Sequence, residues 1–273
     1  MPNAFAITDA DRTIAGEEAG AGPAVLLAHG LTATRRYVVM GSRSLERAGY
    51  RVISYDARGH GRSSPPVTGG YGYPQLAADM RAVLDDRGVD RAVIAGVSMG
   101  AHTLLRFALD HPERVAGLVV ITPAFGGADI DDARLAHWDA LAAGLRAGGI
   151  DGFLAAYDFG TVAPALRETV ATVIRQRLAL HEHQGAVADA LQAVPRSRPF
   201  ETIADLGALT CPVTVIASGD AADPEHPQHI GEAYAATIPD ALLLLDEPGR
   251  TPRAWQGSQI SREIAAVVAR AAA

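Results

Sequence analysis

Six short runs, each nearly unbroken in Val, Ile, Leu and Ala, limit what this chain can fold into. They are AVLLAH (24–29), RVISYD (51–56), AVIAGV (92–97), VAGLVVIT (115–122), VTVIAS (213–218) and ALLLLD (241–246). A strand with one wet face alternates apolar and polar side chains. A run that is apolar at every position needs cover on both faces, as in a parallel sheet between two layers of helices. Helical patterns lie between the runs: SLERAGY (44–50), YPQLAADMRAVLDDRG (73–88), the stretch opening after Ser98 and running to LDHP, HPQHIGEAYAAT (226–237) and GSQISREIAAVVARAAA (257–273). This alternation predicts an α/β fold with a mostly parallel sheet. The first twenty residues can add an antiparallel edge pair.

The strand rhythm stops once, from Ala124 to Asp205. DARLAHWDALAAGLRAG, APALRETVATVIRQRLALHEH and AVADALQAV are helical in pattern and read as one inserted cap. The expected division is a core of 1–123 with 206–273 and a cap (lid) of 124–205. At 273 residues the chain can bury a full core, and its 48% hydrophobic and 20% charged residues are an ordinary globular balance. A net charge of −7, with no basic run beyond RSR at 196–198, argues against a nucleic-acid or anionic-membrane partner. No apolar run approaches the roughly 20 residues of a membrane helix, and the N-terminal stretch lacks the order of a signal peptide. The expectation is a soluble, cytoplasmic protein, monomeric or homodimeric. Cys211 is the only cysteine and reads as a structural thiol. No nucleotide loop or metal-ligand cluster stands out, so no cofactor and no metal are expected.

The motif with most chemistry in it is GVSMG, Gly96 to Gly100. It follows the strand-like AVIA and precedes the helical AHTLLRFAL, the context that a G-x-S-x-G nucleophile elbow requires. Ser98 at such a turn projects its hydroxyl beside a helix N-terminus, which favours developing negative charge. The run LLAHGL brings a strand into His29-Gly30, so the Leu31 N–H is expected to join the Met99 N–H as an oxyanion hole. His29 itself reads as a structural residue of that turn. In YDARGHGRSS the glycines build a tight connection, and Asp56 and Arg58 are expected to pair as scaffold.

HG near residue 30, D-x-R-G-x-G-x-S, then G-x-S-x-G, a helical cap and two closing strands resemble the α/β-hydrolase fold superfamily of the serine nucleophile-elbow type, over essentially the whole chain. The resemblance implies an eight-stranded, mostly parallel sheet with helices on both faces, a cap after strand 6, and a Ser-acid-His triad in that chain order. The pattern of strand, Gly and then Asp-Pro in VIASGDAADPEHP places the acid at Asp223, with Asp220 as the second candidate. The base of such proteins follows the last strand, and there DEPGRTPRAW carries Arg250. A guanidinium stays protonated and cannot take a proton from serine.

His226, on the acid loop itself, is the best placed of the nine histidines to serve instead. Its alternative reading is packing at a helix N-terminus. His102 reads as a core residue, His229 as solvated, and His60, His111 and His137 as loop or surface. His181 and His183 can overhang the mouth from the cap. Arg35 and Arg36 read as solvated loop charges.

Trp138, Phe153, Tyr157 and Phe159 suggest a lid over a mainly apolar cavity. Gly30, Arg250, Trp138 and Tyr157 are its candidate pocket residues. The expected activity is hydrolysis of a small to medium, largely apolar ester or related acyl substrate. The alternative is an impaired hydrolase-fold protein that binds a small ligand, with Arg250 suited to an anionic one.

Overall fold

A computed structural model of the chain describes residues 2–68, 70–128, 131–219, 225–246 and 252–273. Among them the strands β1 (Asn3–Thr8), β2 (Thr13–Ala19), β3 (Ala24–Ala28), β4 (Arg51–Tyr55), β5 (Ala92–Val97), β6 (Val115–Ile121), β7 (Val213–Ala217) and β8 (Leu242–Leu245) form one eight-stranded sheet. Its order is β1-β2-β4-β3-β5-β6-β7-β8. β1 and β2 run antiparallel to their neighbours, and the pairs from β4 to β8 are parallel. The six apolar runs are the six parallel strands, each within a residue of its expected bounds.

Alternation along each strand feeds two separate cores. Leu26 and Ala28 of β3 pack with one cluster, together with Ile94, Leu118 and Val120. On that face lie the helices α2 (Tyr73–Asp86), α3 (Met99–Asp110) and α7 (Gln228–Thr237), represented by Met80, Leu104, Phe107 and Tyr234. Val25 and Leu27 point the other way and meet Leu45 of α1 (Ser44–Arg47) and Ile260, Ile264 and Val267 of α8 (Gly257–Ala272). Burial of both faces explains why β3 to β7 are apolar throughout, whereas the edge strand β8 is equally apolar with Leu242 and Leu245 exposed.

A third cluster belongs to the helices inserted between β6 and β7: α4 (Asp132–Ala156), α5 (Arg167–Leu178) and α6 (Gln184–Ala193). Leu141, Leu145, Phe153, Leu178, Val187 and Leu191 fill it, and Leu31 and Met99 of the core belong to the same cluster. α4 is two arms that meet at Gly148-Gly149. Gly149 sits at φ +57, where a side chain would be strained, and the second arm folds back against the first, so close that a Cβ on Gly152 would stand 2.1 Å from the Gly144 carbonyl oxygen. Phe125, Phe200 and Leu206, near the two ends of the insertion, pack with the sheet rather than with the cap.

The chain runs from β3 outward to β4 and then returns past β3 to β5. The C-terminal ends of β3 and β5 therefore flank the point where strand order reverses, the usual location of a ligand crevice in an open α/β sheet. His29-Gly30-Leu31 leaves one end and Ser98 the other.

Candidate active site

Ser98 links β5 to α3 at φ 52, ψ −111, a backbone conformation that L-residues avoid. α3 lies close against the end of β3: a Cβ on Gly100 would stand 2.2 Å from the Ala28 carbonyl oxygen. That contact lets the turn be sharp and leaves the Ser98 side chain half-buried at the helix N-terminus. The first N–H groups of a helix have no partner within it, so the Met99 N–H is open to an acceptor there.

His226 lies just ahead of α7, with its Nε2 2.8 Å from Ser98 Oγ. The structure therefore brings together Ser98 and His226, the histidine singled out from the sequence. Asp220, Asp223 and Arg250 lie outside the described residues. A cavity of about 220 Å³ opens over Ser98 and His226. Gly30, Leu31 and Met99 form its floor, and Trp138, Phe153 and Tyr157 of the cap line its roof. Phe159 is not part of the roof; it packs on Tyr157 with ring centroids 4.8 Å apart.

Several sequence expectations need correction. Asp56 and Arg58 do not pair, because the chain turns after β4 and sends them to different partners. Asp56 takes the Arg35 guanidinium and, at 2.9 Å, the Arg35 N–H. Arg58 instead grips Asp79 of α2 through two contacts of 2.7 Å. Arg35 is thus a half-buried brace and not a solvated charge. His60 is fully buried, and His181, far from overhanging the mouth, is buried with its Nδ1 accepting from the Gly61 N–H at 2.8 Å. His137 lines the cavity.

His102 is buried as expected and also reaches the cavity wall. Its Nε2 accepts from Ala124 N–H at 3.1 Å and Phe125 N–H at 3.2 Å, so the ring proton sits on Nδ1, 3.0 Å from Tyr73 Oη. Burial pushes its pKa down to about 3, helped by the neighbouring His226, so it stays neutral. His29 is a structural residue of its turn: Nδ1 lies 2.8 Å from the Gly30 carbonyl, and Nε2 accepts from Ala57 N–H at 2.9 Å.

Two features were not foreseen. Glu225, directly before His226, is held by α4: Arg134 Nη2 donates to its main-chain oxygen at 3.2 Å and to its carboxylate at 3.4 Å. His137, one turn further along α4, comes within 4.0 Å of the same carboxylate. The i, i+3 spacing of Arg134 and His137 is a signal, but it names no partner. The second is Thr122, a β-branched residue at φ 44 that lines the cavity just beyond β6. No sequence pattern marks it.

The sequence profile of the α/β-hydrolase fold matches residues 23–156. A protein of Variovorax paradoxus named carbamate hydrolase RutD is 31% identical over 259 residues, spanning 92% of this chain and 94% of that one. The chain belongs to the α/β-hydrolase fold family. Within the hydrolase fold it is also 30% identical, over 206 residues, to a 2-hydroxy-6-oxononadienedioate/2-hydroxy-6-oxononatrienedioate hydrolase of Cupriavidus pinatubonensis, covering 73% of this chain and 69% of that one. A thermophilic esterase of Thermogutta terrifontis, solved with malate bound, superposes with a TM-score of 0.79 at 26% identity, covering 98% and 99% of the two chains. Among the described residues of this hydrolase-fold chain, no helix is long and apolar enough to cross a membrane.

Proposed function

We propose that the chain is a serine hydrolase acting on small to medium, largely apolar esters or related acyl compounds. One observation carries this reading: His226 Nε2 stands 2.8 Å from the hydroxyl of a serine on a strained elbow. A hydroxyl is a weak nucleophile until a neutral base takes its proton, and this is the distance at which a base does so. The names of the relatives, two hydrolases and an esterase, support hydrolysis.

In this reading Ser98 Oγ attacks the substrate carbonyl as His226 Nε2 takes the hydroxyl proton. The carbonyl oxygen becomes an oxyanion between the N–H groups of Leu31 and Met99, at the positive end of α3. The tetrahedral intermediate collapses, the leaving alkoxide takes the proton from His226, and an acyl-Ser98 ester remains. A water molecule, deprotonated by His226, then attacks the acyl carbon; the second tetrahedral intermediate collapses to the carboxylic acid, and Ser98 Oγ leaves with the proton that His226 returns. The resemblance assigns the orienting acid to Asp223, with Asp220 as the second candidate. The cap roof of Trp138, Phe153 and Tyr157 supports an apolar acyl or alcohol group.

A fluorophosphonate probe and p-nitrophenyl butyrate test the assignment together. Wild type is expected to take the label and turn over the ester, while Ser98→Ala and His226→Gln lose on the order of 10⁴ in kcat. Arg250→His is expected to change kcat by less than about threefold, because His226 already occupies the serine. A large gain from Arg250→His, with His226→Gln near wild type, would put the base elsewhere. Absence of label across pH 6 to 9 would exclude ordinary serine chemistry and favour the ligand-binding reading.

A further inference from the structure

Three buried imidazoles stand in a row behind the loop that carries Leu31. The rings of His29 and His60 have centroids 5.2 Å apart, and those of His60 and His181 are 5.5 Å apart. They come from the end of β3, the turn after β4, and the link between α5 and α6 in the cap. Each meets a different carbonyl of three consecutive residues. His29 Nδ1 lies 2.8 Å from Gly30 O, His60 Nε2 2.7 Å from Leu31 O, and His181 Nε2 3.2 Å from Thr32 O.

The opposite ring nitrogens settle where the protons are. Ala57 N–H donates to His29 Nε2 and Gly61 N–H to His181 Nδ1, so the protons sit on His29 Nδ1 and His181 Nε2. Both then point at the loop. His60 faces carbonyls on both sides, Arg58 O at 2.9 Å and Leu31 O at 2.7 Å. A neutral ring satisfies one of them, and the shorter contact is the one to Leu31. Burial holds His29 and His181 down to about 3 and also lowers His60, so three neutral rings are the resting state.

The peptide unit that joins Gly30 to Leu31 carries the N–H assigned above to the oxyanion. Its oxygen is the one that His29 holds. A peptide is rigid and planar, so fixing the oxygen fixes the direction of the N–H, and a donor on the oxygen polarises the unit. The next two carbonyls, held by His60 and His181, set the path of the loop as it leaves. His181 sits in the cap, and the neighbouring Glu182 N–H adds a second tie, to Gly61 O at 2.9 Å.

We propose that His29, His60 and His181 are positioning residues that clamp the Leu31 N–H toward the oxyanion, and that His181 makes this clamp depend on the seated cap. The proposal rests on the ester-hydrolase reading for its kinetic consequence. A pair of near-isosteric variants separates positioning from packing. Gln places an amide near the imidazole Nε2 and keeps a donor for Thr32 O, whereas Asn places one near Nδ1 and keeps an acceptor for Gly61 N–H. Each leaves one backbone group unpaired, so their thermal midpoints should fall alike.

With p-nitrophenyl butyrate, His181→Gln is expected to stay within about twofold of wild-type kcat, and His181→Asn to lose roughly tenfold at unchanged KM. Inhibition by butylboronic acid, which presents a tetrahedral anion to the same N–H groups, should weaken by the same factor in the Asn variant. Equal kcat for the two variants, or an effect on KM alone, overturns the clamp. Two-bond ¹⁵N–¹H spectra of histidine-labelled wild type supply an arm that needs no variant: the proton of His29 is expected on Nδ1 and that of His181 on Nε2. The reverse tautomer at His181 also overturns the proposal. If wild type turns over no ester, the hydrolase reading falls, and the tautomer spectrum alone then decides the clamp.

Discussion

Ser98 at φ 52, ψ −111 carries a side chain where glycine is at ease and other residues are not. Such a residue costs on the order of 1–3 kcal/mol, which the surrounding fold has to offset. Two inactive variants isolate that term. Ser98→Ala keeps the Cβ and with it the strain, whereas Ser98→Gly removes both. Ser98→Gly is therefore expected to denature in urea with a stability about 1 kcal/mol above Ser98→Ala, although glycine is the more costly residue to order in most places. Equal or lower stability would show that the elbow is relaxed. The same residue was readable from GVSMG, because a strand, two close glycines and a helix leave few other structures open to that string. The geometry of Thr122 was not readable, since a β-branched residue at positive φ follows from how β6 meets the cavity and not from any local preference.

At the scale of elements, α4 reaches across the cavity to the loop before α7. Arg134 gives its Nη2 protons to both the backbone and the carboxylate of Glu225, beside His226. A half-exposed ion pair of this kind contributes little to stability, typically 0.2–1 kcal/mol. In the proposed reaction its effect belongs to geometry, because small displacements of a base weaken proton transfer. Arg134→Ala is expected to lower kcat about three- to tenfold while moving the urea midpoint only slightly; an unchanged kcat would show that the loop holds His226 unaided. This contact joins residues 91 apart in the chain, so no local pattern announced it. The parallel strands were legible for the opposite reason: each is a short apolar string, and from β3 to β7 its burial on both faces is written in its own residues, although β8 carries the same pattern on an exposed edge. HPQHIGEAYAAT was legible as a helix, but that His226 turns toward Ser98 depended on where α7 docks against β7.

At the scale of the molecule, His29, His102 and His181 all have folded-state pKa values near 3, set mainly by burial. An unfolded chain returns them to about 6.5. The folded value is the lower one, so the unfolded state binds protons first as the pH falls. Stability from these rings is therefore complete above about 6.5 and is lost progressively toward 3. Between pH 7 and pH 5 each ring is expected to remove about 2 kcal/mol, about 6 in all, a large part of an ordinary domain's 5–15. Urea unfolding at the two pH values measures this directly, and a loss below about 1 kcal/mol would mean that the rings are charged in the folded protein. The cap has a further consequence at this scale. Leu31 and Met99, the residues beneath the reaction centre, pack in the same apolar cluster as the cap helices. The lid is therefore not an interchangeable part. A chimera that exchanges 132–193 for the equivalent stretch of another family member would also repack Leu31 and Met99, so the roof of the cavity cannot be changed without disturbing its floor.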